Sequence, residues 1–319
     1  MPMVNAMQAV VIREKQLHWE EREDPVPGDT ELLVRVHAAG INGADLIQRI
    51  GLYPAPPGWP ADIPGMEFAG EVVSIGSLVS LFAPGDRVMA VVGGGAQATL
   101  AVVDESHAQV VPSSLGWTEA GGFPEVFWTA YDALFTQGGL RMGERVLISG
   151  AAGGVGTAGV QLAAATGASV VATVRDAARH AEVAALGAAV VIDPSDVASH
   201  GPYDVVLELV GAASLPSVLP HLATGARVVV IGVGSGAKVE LNLLALMGSR
   251  ARISGATLRA RSRREKANVA AAVTAHVLPL LTSGRIRVPV CDTFPMADAA
   301  NAYDRFAAGS KLGKVVLVN

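Results

Sequence analysis

The sequence predicts an α/β chain in which a β-rich portion is joined to a doubly wound parallel sheet, and three observations carry that prediction. Short apolar strands separated by turn residues fill the first part of the chain. After Phe123 apolar strands alternate with helical stretches, and one strand-to-helix junction is a glycine turn. Strands are expected at residues 9–13, 32–38, 68–75, 87–92 and 98–103, separated by turns that include Pro27-Gly28-Asp29, Pro64-Gly65 and Pro84-Gly85-Asp86. A small barrel-like β domain fits that spacing. Further strands are expected at residues 145–149, 169–174, 189–192, 204–210, 227–231 and 252–254, with helices between most of them, which makes this sheet parallel. A helix is expected over residues 265–281, then strands at 288–294 and 315–318 that return to the first domain. The expected division is 1–123 with 265–319 for the β-rich domain and 124–264 for the parallel sheet.

The glycine turn is the most informative segment. An apolar strand from Arg145 to Ser149 runs into Gly150-Ala151-Ala152-Gly153-Gly154-Val155-Gly156 and then a helix rich in Ala and Gly. Such a turn lets backbone N–H groups approach a dinucleotide pyrophosphate, and the helix N-terminus adds a positive dipole end. Ala151 takes the first-glycine position of the usual G-x-G-x-x-G pattern, so the spacing is a variant. Gly150, Ala151, Gly153, Gly154, Val155 and Gly156 are the expected cofactor contacts. About 20 residues further on, an NAD-binding chain carries an acid for the ribose hydroxyls. Here Arg175 occupies that place and Arg179 follows one helical turn later, a pattern suited to the 2′-phosphate of NADPH. The alternative is that both arginines are surface charges. Asp176 stands between them, able to cap the helix or to pair with an arginine.

Composition excludes several classes. With 24 basic and 29 acidic side chains the net charge is -5, which does not favour nucleic acid. The one concentrated basic stretch, residues 259–266, reads first as a solvated helix start, then as a cofactor-phosphate or dimer-edge element. No apolar run reaches the roughly 20 residues a membrane helix needs. The N-terminus meets Arg13-Glu14-Lys15 before a signal-peptide core forms, and a cytoplasmic location is expected. Cys291 is the only cysteine, so neither an internal disulfide nor a thiolate zinc cluster can form, and it reads as a structural strand residue.

Several motifs together resemble a known family. Asn42-Gly43-Ala44-Asp45, Gly51-Leu52-Tyr53-Pro54, Gly65-Met66-Glu67-Phe68-Ala69-Gly70-Glu71-Val72 and Gly85-Asp86-Arg87-Val88-Met89 are similar to the quinone oxidoreductase group of the medium-chain dehydrogenase/reductase superfamily. Trp128-Thr129-Ala130, the glycine turn, residues 254–259 and Gly313-Lys314-Val315-Val316-Leu317 extend the likeness nearly end to end. Within the group the chain most resembles the apoptosis-associated branch, with zeta-crystallin a more distant relative. The resemblance implies a GroES-like catalytic domain built from both chain ends, a Rossmann domain between them, and a homodimer.

It also bears on metal. Zinc-dependent relatives carry His-Glu where this chain has Met66-Glu67, and a cysteine near Asn42. The four cysteines of their structural zinc lobe are missing as well. With no set of three or four ligands, a zinc-free site is expected, and Glu67 reads as structural. Without a metal to polarise an alcohol, reduction of an already electrophilic quinone or enone is the expected chemistry. The resemblance places Tyr53 near the nicotinamide as the candidate catalytic residue, hydrogen-bonding cofactor or acceptor, against a plain packing role. It likewise places Asn42 and Thr129 on the nicotinamide half of the cofactor. Gly153 departs from relatives that carry serine there, and Ile192-Asp193-Pro194 replaces the tyrosine some members have after the third strand. Gly232 and Val233 are expected to approach the cofactor at the carboxyl ends of the strands. Lys314 reads either as a phosphate ligand or as a surface strand residue, and the seven histidines form no ligand spacing. The expected function is NADPH-dependent quinone reduction. An enoyl or enone reductase and a dinucleotide-binding protein with little catalysis stay open as alternatives.

Overall fold

The computed structural model describes residues 6–319, so the expectation for the first five residues lies outside the described residues. The described chain opens with a hairpin, β1 (Ala6–Arg13) against β2 (Gln16–Glu23), paired from Ala6↔Glu23 to Arg13↔Gln16. The turn residues Glu14 and Lys15 have φ of 49° and 66°, a left-handed pair that usually calls for Asn or Gly. Neither residue type marks the turn, and β2 is not apparent from the sequence for that reason. β3 (Glu31–Gly40), β4 (Glu67–Ile75), β5 (Arg87–Val91), β6 (Leu100–Asp104) and the unexpected short β7 (Ala108–Val110) follow.

The parallel sheet is built from β8 (Arg145–Ile148), β9 (Ser169–Thr173), β10 (Val190–Ile192), β11 (Tyr203–Glu208), β12 (Leu222–Val230) and β13 (Arg252–Gly255). Its order is β10-β9-β8-β11-β12-β13, with every pairing parallel. This is the 3-2-1-4-5-6 order of a Rossmann sheet, whose topological switch, and ligand crevice, lies between β8 and β11. β14 (Val290–Pro295) and β15 (Lys314–Val318) return to the N-terminal strands, and β15 pairs antiparallel with β3 at Leu317↔Ala39. The result is a seven-stranded sheet, β14-β15-β3-β4-β5-β7 with β6 on β3, in the manner of a GroES-like domain.

The helices are α1 (Gly43–Arg49), α2 (Trp117–Gly121), α3 (Pro124–Tyr131), α4 (Gly154–Ala165), α5 (His180–Ala184), α6 (Leu215–Val218), α7 (Leu243–Ser249), α8 (Arg263–His276), α9 (Leu278–Thr282) and α10 (Ala299–Ala307). The single helix expected over residues 265–281 is therefore two, α8 and α9. The break falls at Val277, two residues before Pro279, which has no N–H to continue the α8 ladder. The start of α8 is set by a capping box in which Ser262 N donates to Glu265 Oε2 at 2.9 Å and Ser262 Oγ accepts from Glu265 N.

Strand alternation distributes the core. Val146 and Ile148 of β8 pack with Phe127, Trp128 and Ala158 of α3 and α4, while Leu147 between them packs with Val171, Tyr203 and Val206 on the opposite face. α8 contributes Val269, Ala270 and Val273 to the first of these clusters. Gly159 lets α4 approach the sheet, since a Cβ there would lie 2.8 Å from Leu207 Cδ2. In the other domain Leu32, Val34, Phe68, Val88, Val315 and Leu317 form a second core with Tyr303 of α10.

Candidate active site

The glycine turn folds as the end of β8 and the start of α4. Gly150 sits at φ 61°, a backbone region that favours glycine. Gly153 caps α4, and a Cβ on Gly156 would lie 2.6 Å from both Ala151 Cα and Gly150 O, so only glycine allows the turn to close. A Cβ on Gly154 would meet Val126 Cγ1 at 2.8 Å, which brings the helix N-terminus against α3. Gly153 meets nothing nearer than Gly150 O at 3.5 Å and so leaves open space where relatives carry serine. Val155 is half-buried in the first turn of α4. The Ala151 side chain is buried and its amide donates to Thr173 O at 3.0 Å, while the Gly153 amide donates to Gly150 O at 3.1 Å and the Gly150 amide to Thr173 Oγ1 at 3.4 Å, so these three amides shape the turn. Gly313 N donates to Ala152 O at 2.8 Å, which ties this loop to the start of β15 and joins the two domains at the cleft.

Beyond β9, Arg175 is exposed and makes no hydrogen bond or ion pair among the described residues. Arg179 is engaged: its Nη1 donates to Glu182 Oε2 at 2.9 Å and its Nη2 to Ser310 O at 3.4 Å. It lines a cavity of about 970 Å³ shared with Glu182, Arg287 and Cys291. Asp176 caps the short turn that follows, accepting from Ala178 N at 3.1 Å. At the end of β12, a Cβ on Gly232 would lie 2.2 Å from Leu209 O, and Val233 beyond it is exposed. Glu208, which ends β11, is a site residue that the sequence reading missed. Fully buried, it accepts from Ser149 Oγ, Val210 N, Gly211 N and Ser214 Oγ at 2.7 to 2.9 Å and so locks the loops at the switch point. A lone acid closing the apolar run Val205-Val206-Leu207 was the available signal.

On the facing domain the centre is a buried ion pair. Glu67 Oε1 accepts from Lys314 Nζ at 2.6 Å and from Asn42 Nδ2 at 2.9 Å, and Glu67 Oε2 accepts from Glu125 N at 2.9 Å. Lys314 Nζ also donates to Asn42 Oδ1 and Ile41 O. Gly40 makes room for this arrangement, because a Cβ there would lie 2.3 Å from Glu67 Oε1. Lys314 is thus neither a phosphate ligand nor a surface residue, since β15 is an interior strand of its sheet and all three ammonium hydrogens have buried acceptors. Asn42 is buried with its side chain held by the same pair. It begins α1, where Asp45 accepts its amide at 2.8 Å, and burial pushes the Asp45 carboxyl up to about 6.

The basic stretch at residues 259–266 is solvated in part: Arg263 and Arg264 at the start of α8 are exposed, whereas Arg259 and Lys266 are buried. Arg259 is buried, donating from Nε to Gly93 O, from Nη2 to Gln48 Oε1 and from Nη1 to Tyr53 O. Arg261 forms a two-pronged pair with Asp132 at 2.6 and 2.9 Å, Arg263 pairs with Asp104, and Lys266 is buried. Charge alone could not distinguish these from surface arginines. Arg259 ties the Tyr53 loop to the Gly93 loop, and its guanidinium lies 5.1 Å from the centre of the Tyr53 ring. Tyr53 is half-buried, its hydroxyl makes no hydrogen bond among the described residues, and burial raises its pKa. Thr129 on α3 is buried with Oγ1 lacking any partner. An orphaned hydroxyl costs free energy unless something occupies the cleft to satisfy it. No group of three His, Cys, Asp or Glu side chains able to hold a metal occurs among the described residues. Cys291 is half-buried, its thiol donating to Lys314 O.

Residues 28–138 match the family described as Alcohol dehydrogenase GroES-like domain, and residues 154–274 the family described as Zinc-binding dehydrogenase. A quinone oxidoreductase of Mus musculus is 32% identical over 309 residues, covering 92% of this chain and 91% of its own. Among solved structures, a thermostable alcohol dehydrogenase from Pyrobaculum aerophilum superposes with a TM-score of 0.85 at 29% identity, covering 99% of this chain and 100% of its own. A mycobacterial protein complexed with NADPH superposes with a TM-score of 0.87 at 26% identity, covering 98% of this chain and 100% of its own. Sheet order, glycine turn and full-length similarity agree, and the chain belongs to the quinone oxidoreductase group of the medium-chain dehydrogenase/reductase superfamily.

Proposed function

We propose that this oxidoreductase is an NADPH-dependent, zinc-free reductase of quinones. The observation that carries the cofactor choice is Arg175, an exposed cation with no partner among the described residues, placed past β9 where an NAD-binding chain has an acid. Arg179 is a secondary contact in this reading, because Glu182 already holds it. Gly150, Gly153, Gly154, Val155 and Gly156 with the N-terminus of α4 take the pyrophosphate, and Gly232 and Val233 border the nicotinamide side. The orphaned Thr129 Oγ1 and the free Tyr53 hydroxyl fit a bound nicotinamide and acceptor. When bound, NADPH supplies a hydride from the nicotinamide ring. The chain's residues hold the ring and acceptor in contact, and orientation provides much of the rate. Asn42 acts through the Glu67–Lys314 pair, which fixes α1 and α3 on the two sides of the cleft. The zinc-free reading rests on the donor set: Met66 is buried where zinc-dependent relatives carry histidine.

We place the protein in the cytoplasm as a homodimer acting on a small quinone or enone. Among the described residues no helix is long and apolar enough to cross a membrane. β13 is an edge strand beside exposed Leu243, Leu244 and Met247 of α7, a surface suited to a second copy. The testing experiment compares NADPH consumption with 1,2-naphthoquinone, with an α,β-unsaturated ketone and with an enoyl thioester. Faster turnover of the quinone is expected. Preference for the carbon-carbon double bond transfers the assignment to an enone reductase, and NADPH binding without consumption leaves only a binding protein.

A further inference from the structure

Glu125 is the second residue of α3, and its amide is fixed by Glu67 Oε2 at 2.9 Å. Its backbone is therefore pinned to the buried ion pair, while its carboxyl makes no hydrogen bond or ion pair among the described residues and is only half-buried. Thr129, with its orphaned hydroxyl, lies four residues on and so on the same face of α3. Tyr53 is close enough for the Glu125 charge to raise its pKa. Three polar groups without a partner thus lie on or near α3: the Glu125 carboxyl, the Thr129 hydroxyl and, within electrostatic range of Glu125, the Tyr53 hydroxyl.

We propose that Glu125 is the proton donor to the acceptor oxygen, an inference that rests on the reductase reading above. The reductant is the reduced nicotinamide dinucleotide. The acceptor gains a hydride, carrying both electrons, at one end of its conjugated dione. The displaced electron pair arrives on the carbonyl oxygen facing Glu125. That oxygen takes the carboxyl proton as the Glu125 O–H bond breaks, and the resulting carboxylate regains a proton from water. The sum is one quinone, one hydride and one proton giving one hydroquinone.

The surroundings keep this carboxyl protonated at neutral pH. Burial, followed by the negative charge of Glu67 on β4, pushes it up to about 8; Asp45 on α1 acts in the same sense. Lys314 on β15 and Arg259 after β13 oppose the rise without cancelling it, and Lys266 on α8 also feels the Glu125 charge. A general acid works best with a pKa near the working pH. Glu67 cannot share the role, because Lys314, Asn42 and the Glu125 amide occupy its oxygens.

The test is Glu125→Gln, which keeps the side-chain size and removes no hydrogen-bond partner, with kcat/KM for 1,2-naphthoquinone followed across neutral to alkaline pH. Wild type should lose rate above about pH 8. The variant should fall by about a hundredfold and lose that alkaline limb, with NADPH affinity by fluorescence unchanged. Glu125→Asp should retain the limb at reduced rate. Independently of turnover, the infrared band of a protonated carboxyl should disappear from wild type as pH passes about 8 and be missing from Glu125→Gln. A Glu125→Gln enzyme with wild-type rate and an unchanged alkaline limb overturns the proposal alone. A carboxyl already ionised at neutral pH does the same. Wild type that binds NADPH yet reduces neither quinone nor enone overturns the reductase reading and this proposal together.

Discussion

Replacing Lys314 with methionine removes one half of the buried ion pair while keeping an unbranched apolar stem. Lys314 is 2% exposed and Glu67 0%, so no water enters to replace the ammonium. Glu67 Oε1 loses its contact at 2.6 Å, and Ile41 O and Asn42 Oδ1 lose their donor. Breaking a buried pair from one side costs about 3–5 kcal/mol, which for a chain of this size corresponds to a fall in Tm of roughly 10 °C. Thermal unfolding at neutral pH is the assay. The double variant Lys314→Met with Glu67→Gln should recover part of the loss, because it leaves no uncompensated buried charge, although the single amide oxygen can accept from only one of Asn42 and the Glu125 amide. A Lys314→Met protein that melts with wild type, or a double variant less stable than the sum of the two single changes, refutes the reasoning.

Arg175→Ala should raise the KM for NADPH by about tenfold or more and leave that for NADH nearly unchanged, as expected for loss of a charge-assisted phosphate contact; Arg179→Ala should have a smaller effect. Steady-state kinetics with both cofactors decides this, and equal changes refute the phosphate assignment. Gly156→Ala places a methyl 2.6 Å from Ala151 Cα and Gly150 O; it should destabilise the protein by roughly 1–3 kcal/mol and weaken dinucleotide binding measured by fluorescence. Asp45 has a folded pKa of about 6 against 3.8 unfolded, so the native state holds its proton longer. Its contribution to stability is present below about pH 4 and lost as pH rises to about 6, a change of roughly 3 kcal/mol in sign opposite to that of an ion-paired carboxylate. Urea unfolding of wild type and Asp45→Asn at several pH values isolates it, and parallel curves for the two proteins contradict it.

Much of the fold was legible in the sequence because its signals are local. Gly150, Gly154 and Gly156 mark the strand-to-helix turn in the sequence, and the turn needs them: Gly150 takes a positive φ, and a Cβ on Gly154 or Gly156 would clash. Strand alternation likewise marked β3 and β4. β2 was not legible, as Glu14 and Lys15 adopt left-handed backbone without the residues that announce it. The polar interior was least legible. Lys314, Arg259 and Lys266 look like surface charges one at a time, and only the crossing of β15 with β3 and of the Tyr53 loop with the Gly93 loop makes their burial possible. Glu125 was hidden for the same reason, because its surroundings come from β4, β15 and α1, distant in sequence.

The proposed NADPH-dependent quinone reduction is tested by the ratio of kcat/KM for NADPH to that for NADH, measured with 1,2-naphthoquinone as the acceptor. An unpaired Arg175 in place of an acid predicts a ratio of about ten or greater. A ratio near one, or a preference for NADH, contradicts a 2′-phosphate contact at Arg175.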